Sequence, residues 1–322
     1  MKSPHKLLFT FLMLMSTILV LSSSNWLTTW MGLEINMLGF VPLMYHTSTT
    51  DESETAVKYL VPQSVGSTIF ITSALISNHF SNTQILMPIA MCLKLGAAPL
   101  HFWFPAVMSG LSLTPAFLLL TWQKIAPIFA ISSMNPHLTT KILPIAGISA
   151  LWGGIGGINQ TDIRLLLSYS SIAHTGWMLA SVTASSPVLV MYLLTYVMIN
   201  ISLFISLLQS SVKTHKQIFP SSQKPYESFL LAITILSLGG LPPLTGFFMK
   251  LLVLMLSEAK TIIVVSLILG ATLSLYYYLS LTFSTLLSLH KMPISQLKMV
   301  TSTSISLLIS QIMPLSLLFF FF

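Results

Sequence analysis

Leu236-Ser237-Leu238-Gly239-Gly240-Leu241-Pro242-Pro243-Leu244-Thr245-Gly246-Phe247 lies inside a stretch that is otherwise apolar from Phe229 to Leu256. Two adjacent glycines and two adjacent prolines do not suit a regular helix, because each proline removes a backbone donor and crowds the preceding turn. In hydrocarbon, irregular backbone survives only where it is buried in protein or lines a water-filled cavity. The stretch therefore predicts a discontinuous membrane helix whose broken middle faces a cavity, with Lys250 in its second half.

The rest of the chain agrees with a membrane setting. Of its 322 residues, 54% are apolar and 7% are charged. Soluble chains carry about 25% charged residues, so this one cannot cover a water-facing surface. Allowing about 28 residues for a span and its loop gives eleven or twelve helices. A soluble enzyme, a nucleic-acid module and a disulfide scaffold are excluded. The net charge of +7 suggests nucleic acid only until the charges are placed, since they lie in loops and at a few buried points. Cys92 is the one cysteine and can neither bridge internally nor hold an iron–sulfur cluster or structural zinc.

Eleven apolar spans can be marked. They are Leu7–Leu21, Trp26–Tyr45, Val57–Ser77, Gln84–Phe104, Thr114–Ser132, Leu143–Ile158, Leu165–Thr183, Pro187–Leu208, Phe229–Leu256, Thr261–Ser288 and Ser302–Phe322. Runs such as Phe11–Leu21 lack the alternation of a transmembrane β-strand. The expected fold is all-α: one polytopic membrane domain over residues 1–322, with about eleven transmembrane helices. The first span follows a basic start, but Ser22-Ser23-Ser24-Asn25-Trp26 is a weak cleavage context, so the segment is read as a retained helix.

Basic residues divide unevenly between the two sides. With eleven spans the N-terminal side holds Lys2, Lys6, Lys58, Arg164, Lys213, Lys216, Lys224, Lys291 and Lys298, and the other side Lys141 and Lys260. The positive-inside rule then sets the N-terminus on the matrix or cytoplasmic side and the C-terminus opposite. Asp51, Glu52 and Glu54 read as capping chemistry for a helix entered at Val57, and Asp162 does the same before Leu165. Lys213, His215, Lys216 and Lys224 form a basic loop, a topology determinant and a contact for acidic lipid.

Four charges remain inside spans: Glu34, Lys94, Lys124 and Lys250. A charge at mid-bilayer costs about 2.5–3.5 kcal/mol on the insertion scale, so such residues face protein or water and have a task. Glu34 is either a structural ion-pair partner of a buried lysine or a proton-exchanging carboxylate. Lys94 is too deep to snorkel, and Pro99 weakens the helix beside it, freeing carbonyls that can hold water or a cation. Lys124 is also central, in a helix interrupted at Pro127. Lys250 lies nearer the end of its span, where snorkelling is open to it. His174 is either a proton relay or a neutral, hydrogen-bonded core histidine. His101 is nearer an interface and a weaker candidate.

The residue types indicate which ion moves. Ammonium groups repel Na⁺, and three of the four buried charges are lysines. Burial disfavours a charged amine and a facing carboxylate restores it, so a changed partner loads or unloads a proton. One pKa unit is about 1.36 kcal/mol. Moving one charge across 100 mV costs about 2.3 kcal/mol. A swing of about two to four units per site is therefore enough, and buried groups reach it. Glu34, Lys94, His174, Lys124 and Lys250, joined by water, form the candidate route, with no cofactor or metal in this chain.

The same motifs carry a family resemblance. Ser24-Asn25-Trp26 with Trp30 through Leu38, Lys58-Tyr59 with Gln63, and Leu93 through Pro105 are three of them. Leu120 through Pro127, Tyr169 through Met178, and Leu236 through Phe247 with Lys250 complete the set. The chain resembles the chain 2 family of NADH:ubiquinone oxidoreductase, the mitochondrially encoded antiporter-like subunits of respiratory complex I. The segment after Lys260 matches in hydropathy alone.

The resemblance implies antiporter-like inverted five-helix repeats, each with one broken helix, and eleven spans in animal members. It puts the family's key glutamate on Glu34, its pairing lysine on Lys94, the central lysine on Lys124 and the exit-side lysine on Lys250. Proton translocation is implied, driven by electron transfer from NADH to ubiquinone elsewhere in a complex that uses FMN, iron–sulfur clusters and ubiquinone, none of them bound by this chain. The implied partners are other membrane subunits, especially the antiporter-like chain 4 and the small chain 4L, and phospholipids including cardiolipin, with no nucleic acid. The implied place is the mitochondrial inner membrane, with the N-terminus in the matrix and the C-terminus in the intermembrane space. The chain departs from the family pattern at Ala106, where a carboxylate usually follows His-Phe-Trp-x-Pro. A free-standing cation/proton antiporter of the same superfamily is the second reading, and a scaffold whose charges are only structural is the third.

Overall fold

A computed structural model describes residues 4–45, 50–77, 81–210, 225–257 and 259–289. Among them the regular elements are all helical. α1 (Pro4–Ser22) and α2 (Trp26–Met44) form an antiparallel pair, and α3 (Thr50–Ile76) packs on α2. A short 3₁₀ turn leads into α4 (Leu86–Leu95), which is followed by α5 (Trp103–Gly110), α6 (Leu113–Leu120) and α7 (Trp122–Ser132). The short α8 (Pro136–Thr140) precedes α9 (Leu143–Gly157). α10 (Ile163–Ala184), α11 (Ser186–Ser210), α12 (Pro225–Gly239), α13 (Thr245–Leu256) and α14 (Thr261–Leu289) complete the described bundle. The first ten apolar spans each coincide with a helix or an interrupted helix. The eleventh, Ser302–Phe322, lies outside the described residues, as do Lys2, the basic loop from Lys213 to Lys224, Lys291 and Lys298.

Among the described residues, six helical segments are long and apolar enough to cross a membrane. In the outer ones little of the surface is covered by protein: 22% of the apolar window in α1 and 28% in α14, against 61% in both α6–α7 and α11. Leu7, Phe102, Met255 and Ile262 present open apolar side chains, as a lipid-facing perimeter requires.

α10 is absent from the six because serines, threonines and His174 dilute its apolarity. It is instead the central helix, buried from Ile163 through Ser181 along most of its length. Protein surrounds it, so it has no need of an apolar coat. Its hydroxyls bond back to carbonyls one turn earlier, as Ser170 does to Leu167 and Thr175 to Ile172. Glycines bring α9 close on one side. A Cβ on Gly176 would stand 2.5 Å from the Ala146 carbonyl oxygen, and one on Gly153 2.5 Å from the Ala173 nitrogen. Small residues permitting such backbone approach are a usual device of membrane packing.

Several local expectations are corrected. α3 begins by Thr50 rather than at Val57, so Asp51 and Glu52 stand in its first turn, where a carboxylate suits the helix dipole. Glu54 instead pairs with Lys58 at 2.6 Å. Asp162 is the N-cap of α10 but makes no side-chain capping bond. Arg164 is not a free loop charge, since it donates to the Leu111 carbonyl at the end of α5.

Candidate functional site

Three interruptions organise the buried charges. The first span to break does so at Gly96, whose φ of 69° is left-handed and ends α4 at once. Pro99, expected to be the breaker, lies downstream in the connection to α5. Three carbonyls of the last turn, those of Cys92, Leu93 and Lys94, have protein donors. Ala97 N–H donates to Cys92 O at 2.9 Å, and Gly96 N–H to Leu93 O at 3.1 Å. Trp103 Nε1 also donates to Leu93 O at 3.1 Å, and Gln63 Nε2 to Lys94 O at 3.0 Å. Lys94 is thus fixed on the last turn of α4, 5% exposed. Glu34 of α2, half-buried, lies within electrostatic range of it. The two form no ion pair within 4 Å, unlike Lys58 and Glu54 on the exposed side of α3. His101 is buried in the same connection, its Nδ1 3.3 Å from the Pro99 carbonyl.

The second interruption falls at Thr121 and not at Pro127, through which α7 runs unbroken. The Thr121 hydroxyl and backbone N–H both donate to the Phe117 carbonyl, at 2.7 and 3.0 Å, and close α6. Three residues on, Lys124 is 2% exposed, and its Nζ donates to the Ser171 carbonyl of α10 at 2.9 Å. The Tyr196 hydroxyl of α11 lies 3.4 Å away and the Tyr196 ring centroid 4.9 Å away.

The third interruption is the Gly-Gly-Leu-Pro-Pro stretch. Gly240 has φ 82° and closes α12. Lys250, from α13, reaches back so that its Nζ donates to the Gly239 carbonyl at 3.0 Å. It does not snorkel: the residue is 7% exposed. Beside it is a partly open cavity of about 300 Å³, with Trp177, Phe247 and Leu254 among its walls, so its lining is mainly apolar.

His174 of α10 stands between the second and third interruptions. Its Nδ1 is 2.8 Å from the Tyr192 hydroxyl, and its ring centroid is 5.1 Å from that of Tyr196. It feels the charges of both Lys124 and Lys250. Ser170, Tyr277 and Tyr278 line a small enclosure that His174 shares with Lys250. The amine, the two tyrosines and the imidazole form a buried polar cluster in which Lys124 contacts Tyr196, the Tyr196 and His174 rings pack together, and His174 bonds to Tyr192. All five predicted residues are placed, and Lys124, His174 and Lys250 are brought together.

Sequence reasoning passed over Tyr192 and Tyr196, because Pro187–Leu208 reads as uniformly apolar. The signal is their i, i+4 spacing, continued by Asn200, whose Nδ2 donates to the Tyr196 carbonyl at 2.8 Å. That spacing sets all three on one helical face.

Comparison with known proteins defines the class. Residues 72–275 match the family described as NADH:quinone oxidoreductase/Mrp antiporter, TM, and the chain belongs to that family. Its similarity to particular members is extensive. It is 36% identical to NADH-ubiquinone oxidoreductase chain 2 of Nandinia binotata over 304 residues, 90% of this chain and 88% of that protein. It is 40% identical to the chain 2 of Xenopus laevis over 280 residues, covering 82% and 81%. In architecture it is similar to a chain of respiratory complex I from Thermus thermophilus, at 22% identity and a TM-score of 0.83, covering 98% of this chain and 78% of that one. A chain of the Mrp complex from Dietzia aligns with a TM-score of 0.72 at 16% identity, covering 91% and 61%.

Proposed function

We infer that the chain is a proton-translocating membrane subunit of an NADH:ubiquinone oxidoreductase. Its relatives bear the name of that complex's chain 2 along nearly their whole length, which favours this reading over a free-standing antiporter. The observation that carries the chemistry is the set of three buried amines, Lys94, Lys124 and Lys250, each within a few residues of a helix interruption or bonded across one.

In this reading Glu34 acts on Lys94 as the adjustable counter-charge. Moving that carboxylate toward or away from the amine changes whether Lys94 holds its proton. Lys124 passes protons by way of Tyr196 and His174 toward Lys250, whose amine exchanges its Gly239 contact for water when loaded or emptied. The imidazole has a donor and an acceptor nitrogen, which suits a two-way relay. No cofactor in this chain is needed, since electron transfer takes place elsewhere in the complex. Ala106 supplies no carboxylate, so proton entry relies on other groups.

The finer assignments belong to the same proposal. The chain crosses the mitochondrial inner membrane eleven times, with its N-terminus in the matrix and its C-terminus in the intermembrane space. Two of its three interrupted spans, the fourth and the ninth, lie five spans apart, which suits inverted five-helix repeats. Chain 4, chain 4L and cardiolipin are its neighbours. Purification in mild detergent tests the assignment. The chain is expected to remain with the other subunits of the oxidoreductase and to move protons only while NADH is oxidised. An independent oligomer that exchanges cations for protons without redox partners would favour the antiporter.

A further inference from the structure

Lys94 shares its surroundings with neutral polar side chains that the cluster of amines and aromatics leaves unused. Asn36 of α2, Tyr59 and Gln63 of α3, Lys94 of α4 and Gln123 of α7 border a cavity of about 10 Å³. That is close to the space one water molecule's centre needs.

The polar atoms around this cavity are unevenly satisfied. Asn36 is 3% exposed, and neither its Nδ2 nor its Oδ1 has a hydrogen-bond partner among the described residues. The buried Nε2 of Gln123 has none either, although its Oε1 accepts from the Tyr59 hydroxyl at 3.3 Å. Pro127, which also lines the space, has no N–H to give the Gln123 carbonyl one turn earlier. Buried amide groups in native proteins find partners, in protein or in an internal water that itself takes two to four. An asparagine with both polar atoms open and a glutamine with one, meeting at a space of one water's size, meet that description. Asn36 comes from the helix that carries Glu34, and Gln123 directly precedes Lys124.

We propose that this cavity is a bound-water site, and that Asn36 and Gln123 are positioning residues that orient its water between the Lys94 amine and the turn of α7 that carries Lys124. The water takes one proton from the Lys94 ammonium and gives one of its own, by way of further water beyond the site, to the neutral amine of Lys124, the next ionisable group on α7, so it is unchanged by each transfer. The presence of the water stands on the cavity and its amides alone. Its task rests on the proton-carrying function proposed above.

The test uses the assembled complex, with water-resolving maps and proton-pumping assays in proteoliposomes. Asn36→Leu keeps the side chain's bulk and removes its polar atoms, Gln123→Met does the same on α7, and Asn36→Ser restores a donor and acceptor. A water peak within hydrogen-bond distance of Asn36 and Gln123 is expected in the unmodified protein and in Asn36→Ser, and its loss in Asn36→Leu. Proton-coupled turnover should fall about tenfold in Asn36→Leu and Gln123→Met, the effect of one lost hydrogen bond on a transferring proton, and recover in Asn36→Ser. If Asn36→Leu does not assemble, Gln123→Met carries the comparison. An unmodified protein with no such peak, its amides turned onto protein partners, overturns the site. Full pumping in both apolar variants overturns the positioning role. If Lys124→Met stops pumping in that case, the proposed function stands without the water site.

Discussion

The Lys250 amine donates a 3.0 Å hydrogen bond to the carbonyl oxygen of Gly239, so the second half of the ninth span closes the end of the first. A cation at a helix C-terminus is favoured by the helix dipole and satisfies a carbonyl that the broken ladder cannot. Lys250 therefore holds the interruption together as well as presenting an ionisable group there, and its variants should show both effects. Lys250→Met leaves Gly239 O without its partner and is expected to destabilise the bundle by about 1–3 kcal/mol. Thermal unfolding of the purified complex, followed beside its pumping, separates the two losses.

Gly240 tests the same relationship from the backbone. Its φ of 82° is costly for any residue with a side chain, and a Cβ there would stand 3.2 Å from Lys250 Nζ. Gly240→Ala should cost about 1–2 kcal/mol through the left-handed conformation alone. It should also loosen the Lys250–Gly239 contact, visible as a longer Nζ–O distance in a map of the variant.

Tyr196 makes two separable contacts with Lys124, through its hydroxyl at 3.4 Å and its ring at 4.9 Å. Tyr196→Phe keeps the ring and should reduce proton-coupled turnover modestly. Tyr196→Leu removes both contacts, and with them a cation–π attraction worth about 0.5–2 kcal/mol. The leucine variant should be the more impaired of the two in a pumping assay. Equal defects would place the whole contribution in the hydroxyl.

Gly176 governs the approach of α10 to α9. A Cβ added there would meet the Ala146 carbonyl oxygen at 2.5 Å and the Ala150 nitrogen at 2.9 Å, both of them backbone. Gly176→Ala is expected to cost about 1–3 kcal/mol by overpacking, with a lower yield of assembled complex. Lys58→Gln serves as a control: its ion pair with Glu54 is 45% and 66% exposed, and pairs of that kind add little. Assembly and thermal stability should not change.

The interrupted spans and the depth of the charges were legible in the chain because glycine, proline and lysine are conspicuous in apolar runs. The location of each break was less so. Gly96 rather than Pro99 ends α4, since a left-handed residue stops a helix before the proline is reached. The fifth span breaks at Thr121 rather than at Pro127, and a single threonine in an apolar run leaves no strong mark in composition. The partners of the lysines were hidden for a different reason. The Ser171 carbonyl and the Tyr196 hydroxyl come to the Lys124 amine, and Gln63 to the Lys94 backbone carbonyl, across tens of residues, so only tertiary packing reveals them. α10 shows the limit of hydropathy, since the most enclosed helix of the bundle is not among the most apolar.

The central claim is that buried amines carry protons through this subunit, and Lys124 is the amine set deepest among protein contacts. The most direct measurement is the ratio of protons pumped to electrons transferred in proteoliposomes containing the assembled complex with Lys124→Met. Removing a positioned acid–base group slows a proton transfer about 10²–10⁴-fold. The account therefore predicts normal assembly with either a lowered ratio or turnover slowed to match. An assembled Lys124→Met complex with the unmodified ratio and rate would contradict it, and would leave Lys124 as a structural charge bonded to Ser171 and Tyr196.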